Sequence, residues 1–294
     1  MAVSVSALAA QMHRPPARMR RASGLLWLLP MLVVFATFYA VPLARMVFTS
    51  FDGAQFDLKH YRYLLREDIY ATVLLITVKI SVYVTATTVL IGYPIAYYLS
   101  RLRGPALTVG LALVLLPFWT SVLVRNYAWY VLLARKGVIN SVLMDLGIST
   151  QPLPLLFNTT AVVIGMSYVL VPFVILSVFS VARGIDPLYL KASATLGASP
   201  LATFWRVFLP LSLPGVYAGA LLVFITALGF FITPALLGGG RVPMIAVLIE
   251  SQVRGVLNFG VGSALGTFLL VAVLAIYYLF DKVLGTESLF GEAR

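Results

Sequence analysis

Six apolar runs, each near or above the ~20 residues that cross a bilayer as a helix, leave this chain one class of fold. They are Gly24–Phe48, Ala71–Leu99, Ala106–Val124, Thr160–Val181, Val216–Leu237 and Phe259–Val283. Backbone donors and acceptors in hydrocarbon have no water to turn to, so such runs satisfy them internally as helices. The charge content agrees. Only 11% of the 294 residues are charged, against about 25% in soluble domains. With 61% hydrophobic residues and a mean hydropathy of +0.99, there is too little charge to cover a water-facing surface. The expected fold is an all-α integral membrane protein with six transmembrane helices.

Several function classes drop out. The chain has no cysteine, hence no disulfide, thiolate metal site or cysteine nucleophile. Its two histidines, His13 and His60, fall in the N-terminal tail and a loop, so no metal cluster or Ser/His/Asp set can be assembled. The formal net charge of +11 reads as anchoring against anionic lipid rather than as a nucleic-acid surface. Arg14, Arg18, Arg20 and Arg21 precede the first run and put the N-terminus in the cytoplasm. Six spans then bring the C-terminus to the same side. The first run is about twice the length of a secretory signal core and reads as an uncleaved anchor. The expected organisation is a basic cytoplasmic tail (1–23), one six-helix domain (24–283) and a cytoplasmic C-terminal tail (284–294). Prolines 30, 42, 94, 117, 172 and 234 fall in or at the ends of spans and can kink them. Such kinks suit helices that rock, and equally helices that do not. On the outer side, Arg125–Asn158 carries a short expected helix, Ile139–Leu146, ended by Gly147. Gly238–Asn258 holds a triple-glycine turn and an amphipathic patch.

One polar stretch, Lys191–Gly215, interrupts the apolar pattern between the fourth and fifth runs. Asp186-Pro187 is a helix start, with a side-chain cap followed by a residue shaped for the first helical position. Gly197 suits a left-handed stop. Ser199-Pro200 repeats the start signal, and Pro210 and Pro214 are expected to end the second helix before the fifth span. Leu188, Ala192 and Leu196 form an apolar stripe on the first helix. Phe204, Val207 and Phe208 do so on the second, where packing on the inner ends of the spans is expected.

The spacing Lys191-Ala192-Ser193, Gly197, Val207-Phe208-Leu209-Pro210 resembles the EAA loop of ABC-importer permeases. That pattern reads E-A-A, three residues, G, nine residues, I, one residue, L-P. The chain departs from it at Lys191, where the family has Glu, and at Ser193, where it has Ala. Further stretches resemble the spermidine/putrescine-type permeases: Gly92-Tyr93-Pro94-Ile95-Ala96-Tyr97, Leu116-Pro117-Phe118-Trp119-Thr120, Lys136-Gly137-Val138-Ile139-Asn140, and Phe231-Ile232-Thr233-Pro234. The resemblance implies a type I importer permease with six helices and a cytoplasmic coupling helix. It also implies partners: a second permease subunit in a heterodimer, two ATPase subunits and a periplasmic substrate-binding protein. Leu188, Lys191, Ala192, Ser193, Leu196, Gly197 and Ala198 would then dock on an ATPase. ATP and Mg would belong to that partner. This chain has no G-x-x-x-x-G-K-[ST] loop and is not expected to be an enzyme or to bind a cofactor.

The resemblance makes a polyamine the first substrate reading, with opines, thiamine, ferric iron or sulfate as alternatives within the same importer class. A polycation would be passed along by aromatic faces and carboxylates. The candidates are Phe118, Trp119, Tyr127, Tyr168 and Glu250. Interfacial anchoring for Trp119, Tyr127 and Trp129 and a solvated loop charge for Glu250 are the plainer readings. A secondary transporter or channel is the other class to weigh, but it calls for ionisable residues at mid-membrane, and Lys79 alone comes near.

Overall fold

The computed structural model describes residues 29–52 and 56–284, so the expected N-terminal tail and nearly all of the C-terminal tail lie outside the described residues. Twelve helices are described in chain order. α1 (Leu29–Ser50) is the first span, followed by α2 (Lys59–Arg66). The second span, α3, runs Asp68–Arg101. α4 (Gly104–Leu115) continues as a 3-10 turn, Leu116–Trp119. α5 (Val122–Leu133) and α6 (Val138–Asp145) lead to the fourth span, α7 (Thr159–Gly184). α8 is Pro187–Thr195 and α9 is Pro200–Leu228. Short helices α10 (Ile232–Leu237) and α11 (Ile245–Glu250) precede the last span, α12 (Phe259–Leu284). Among the described residues five helices are long and apolar enough to cross a membrane, or six if one bent pair counts as a span.

The bent pair corrects the expected third span. Ala106–Val124 is not one helix: Gly104–Trp119 and Val122–Asp145 meet at 94°. Pro117 sits in the 3-10 turn, Thr120 N–H reaches back to Pro117 O, and Thr120 and Ser121 are extended. The turn tightens and the direction is lost, although the sequence stays apolar throughout.

The fifth span is corrected in the opposite sense. Pro210 and Pro214 do not separate an insert helix from it, because α9 runs unbroken from Pro200 to Leu228. A π-helical turn, Phe204–Phe208, precedes Pro210, and Leu209 N–H reaches five residues back to Phe204 O. This shifted hydrogen-bond register accommodates the missing proline donor. The span also ends early, at Gly229, and the residues expected to complete it form the separate helix α10.

The core lies between α3, α7 and α9. Ile80, Val84, Val174, Val178 and Val223 are fully buried there. Close approach decides the packing at Gly215, where an added Cβ would meet Ser177 O and Val178 Cα at 2.9 Å. Ser177 Oγ donates to Gly215 O at 3.0 Å, and Tyr93 Oη pairs with Ser212 Oγ at 2.9 Å. α1 packs along α12 at one side of this core.

Candidate functional site

α8 is held at both ends by its own sequence. Asp186 Oδ1 accepts from Leu188 N–H at 2.8 Å, and Pro187 occupies the first turn. At the other end Gly197 takes φ +81°. Its N–H bonds Ala194 O at 3.0 Å, while Ala198 N–H bonds Ser193 O at 3.1 Å. Those two bonds are a Schellman cap, and a residue with a Cβ enters that conformation at a cost. Ser199 Oγ accepts from Ala202 N–H at 3.3 Å and starts α9. The expected caps are therefore all present.

The two apolar stripes of this segment end up in different places. Phe208 is buried, and Tyr97 of α3 stands edge-on to Phe204 and Phe208, at centroid distances of 5.2 and 4.8 Å. The second stripe packs on the bundle, as expected. On α8, Leu188 is 65% and Leu196 88% exposed, with Ala192 and Tyr189 exposed beside them. Among the described residues nothing covers that face. Lys191 is also exposed. Ser193 and Ala198 are half-buried, and Ser193 Oγ lies 2.9 Å from Thr203 Oγ1, tying α8 to the base of α9. Ser193, Gly197 and Ala198 thus shape the helix and its turn. Leu188, Lys191, Ala192 and Leu196 form what it presents.

The chain matches no protein-family model. It is 36% identical over 261 residues to the spermidine/putrescine transport system permease protein PotB of Haemophilus influenzae, covering 85% of this chain and 91% of that one. PotB of Escherichia coli is 33% identical over 241 residues, 81% of this chain and 87% of the relative. The chain belongs to the permease family of binding-protein-dependent ABC importers. The molybdenum transport system permease protein ModB of Mycobacterium bovis is 35% identical over 209 residues, 71% of this chain and 77% of that one. Among solved structures, a bacterial ABC transporter involved in import of the polysaccharide alginate superposes with a TM-score of 0.70 at 18% identity, over 89% of this chain and 96% of that one. The permease is a multi-pass inner-membrane transport subunit and not an enzyme.

The candidate pathway residues of the permease do not form one cluster. Phe118, at the sharp bend, stands edge-on to Phe173 of α7 with centroids 5.3 Å apart. Trp119 beside it is 80% exposed. On α5, Tyr127 stacks on Tyr130 at 5.9 Å, and Trp129 reaches Tyr168 of α7 at 5.8 Å. Glu250, half-buried at the end of α11, makes no ion pair among the described residues. The aromatics gather around the α4–α5 bend and the facing side of α7, and Glu250 stands apart on another element.

Buried polar contacts that hold α5, α6, α10 and α11 in place carry no motif. Asn126 is 0% exposed; its Nδ2 donates to Val122 O at 2.8 Å, and its Oδ1 accepts from Thr233 Oγ1 at 2.7 Å. That bond joins α5 to α10. Thr77 Oγ1 accepts from Ile245 N–H at 2.9 Å and so fixes the start of α11 against α3. Asn140 Oδ1 and Nδ2 both bond the backbone of Leu153, at 2.8 and 3.1 Å. Both Asn126 and Thr77 sit among other polar residues, Asn126 next to Arg125 and Thr77 two residues before Lys79, so the sequence does not single them out.

Proposed function

We propose that this permease admits a polyamine, released by a periplasmic binding protein, and that α8 couples the movement to a separate ATPase. The supporting observation is the exposed apolar face of α8, a capped helix between two spans with Leu188, Ala192 and Leu196 turned outward. An apolar helix face of this kind fits a groove in a partner. The reading places α8 and both chain termini in the cytoplasm. It gives the importer a second permease subunit in a heterodimer and two ATPase subunits that hold ATP and Mg. Leu188, Lys191, Ala192 and Leu196 make the contact, while Ser193, Gly197 and Ala198 keep the turn that presents them. Lys191 calls for an acidic residue on the ATPase.

The substrate reading draws on the PotB relatives, which cover more of the chain than ModB does. The net charge of +11 disfavours a deep polycation trap in this chain. Selection then rests with the binding protein, and Phe118, Trp119, Tyr127 and Tyr168 offer ring faces along the way, with Glu250 as an outer carboxylate. Replacing Leu196 by Asp or Ala192 by Arg should abolish co-purification with the ATPase and uptake, while the thermal stability of the permease is unchanged. Retained association in both variants would reject α8 as the contact. Uptake of labelled spermidine and of sulfate by vesicles holding the full importer decides the substrate, and transport of the anion alone would reject a polyamine.

A further inference from the structure

Behind α8, on the side away from its exposed stripe, lies a cavity of about 400 Å³ lined by Arg101, Arg103, Arg183, Pro187, Leu190 and Phe208 among others. At about 100° per residue, Leu190 sits roughly 200° around the helix from Leu188. The cavity therefore lies between α8 and the ends of the spans. Arg101 is the last residue of α3, Arg183 is in the last turn of α7, and Arg103 lies in the turn into α4.

Among the described residues the partners of these guanidinium groups are neutral. Arg183 Nη1 donates to Ser100 O at 3.2 Å and Leu102 O at 2.8 Å. Arg101 Nη2 donates to Tyr97 Oη at 2.9 Å, with Cζ 4.8 Å from the Tyr97 ring centroid and 5.6 Å from that of Phe208. Among the described residues none of the three arginines pairs with a carboxylate, and Arg103 makes no hydrogen bond. A guanidinium has five N–H donors, so most of them remain to be used. Three like charges around one small cavity repel until an anion joins them, and the planar forks match the paired oxygens of a phosphate.

We infer that this cavity is a phosphate site filled by the headgroup of an anionic phospholipid. The height of the site chooses the source, because all three arginines end or follow membrane helices, at the level where headgroups lie. The walls agree: Pro187 and Leu190 offer apolar surface to the glycerol and first methylenes, which a free phosphate would leave uncovered. α4, next to the cavity, has no residue buried in this chain and leaves that flank open to lipid. A bound headgroup would bridge the α3–α4 turn, α7 and the base of α8. The site stands whatever the outer face of α8 docks against.

The test is native mass spectrometry of the detergent-solubilised full-length permease, titrated in parallel with phosphatidylglycerol, phosphatidylcholine and inorganic phosphate. Phosphatidylglycerol should be retained in preference to phosphatidylcholine. Arg103→Gln should weaken it about fivefold, and a double Arg101→Gln, Arg103→Gln change about 25-fold. Arg103 makes no contact that folding needs, so the single variant keeps the test readable if Arg101→Gln misfolds. Equal retention of the two lipids, or of phosphatidylglycerol by Arg103→Gln and the unaltered protein, overturns the site. Binding of inorganic phosphate that displaces phosphatidylglycerol at equal concentration overturns the lipid source. ATPase association is not part of this readout, so failure here and failure of α8 as the coupling helix are told apart.

Discussion

Asn126 shows how a single polar side chain decides local structure inside an apolar bundle. It is wholly buried, and its carbonyl oxygen is the acceptor of the Thr233 hydroxyl. Asn126→Leu should lower stability by about 1–3 kcal/mol, because Thr233 then keeps a buried donor without a partner. Adding Thr233→Val should recover part of the loss, and thermal unfolding of the two variants in one detergent checks it. Asp52 makes a second prediction at this scale. Lys59 donates a hydrogen bond to its carboxylate, and with the positive charges of Lys59 and His60 this holds the group below the usual carboxylate range against a smaller opposing effect of burial. A lowered folded pKa stabilises the folded form above the ordinary carboxylate pKa, and that contribution is lost as pH falls through the lowered value. Asp52→Asn should therefore flatten the loss of thermal stability below about pH 4. Asn also tolerates the left-handed backbone at this position, φ +58°. An unchanged acid limb in the variant would refute the assignment.

At the scale of elements, α8 was legible and the span boundaries beside it were not. Asp186, Pro187, Gly197 and Ser199 act through their own backbone, so their types and spacing carry the geometry. Gly197→Ala should cost about 1–2 kcal/mol through the left-handed backbone and Gly197→Asn less, since open space surrounds the Cβ position and sterics add nothing. Equal thermal stability of the two variants would contradict that cause. The 94° bend after Trp119 could not be read, because hydropathy records that a residue is apolar and not where the helix axis points. Pro210 and Pro214 read as stops in the sequence because proline usually breaks a helix. The π-helical turn ahead of them, which no residue type announces, moves the hydrogen bonds so that the helix continues. The candidate pathway aromatics are legible only as a set of residue types. Phe118 comes to face Phe173 of α7 and Trp129 of α5 comes to face Tyr168 of α7 across the bend, and Glu250 does not join them.

At the scale of the whole molecule, the permease divides into a tight α3–α7–α9 core and the α1–α12 pair at its side. Met46 of α1 approaches Gly266 of α12, where an added Cβ would meet its Sδ at 2.9 Å. The chain has no cysteine of its own, so a Met46→Cys, Gly266→Cys protein should form one internal disulfide on oxidation, read as a mobility shift on a denaturing gel. Linked dimers in its place would show that α1 packs on another subunit. The unbroken run of α9 also has a mechanical meaning. Its 29 residues make a rod about 43 Å long at ~1.5 Å per residue. With the rod pivoting at the base beside α8, a tilt of about 10° would swing the far end, at Gly229, through roughly 7 Å. A small nudge at one face of the membrane would thus be enlarged to a displacement of that size at the other, with the helix itself as the lever arm.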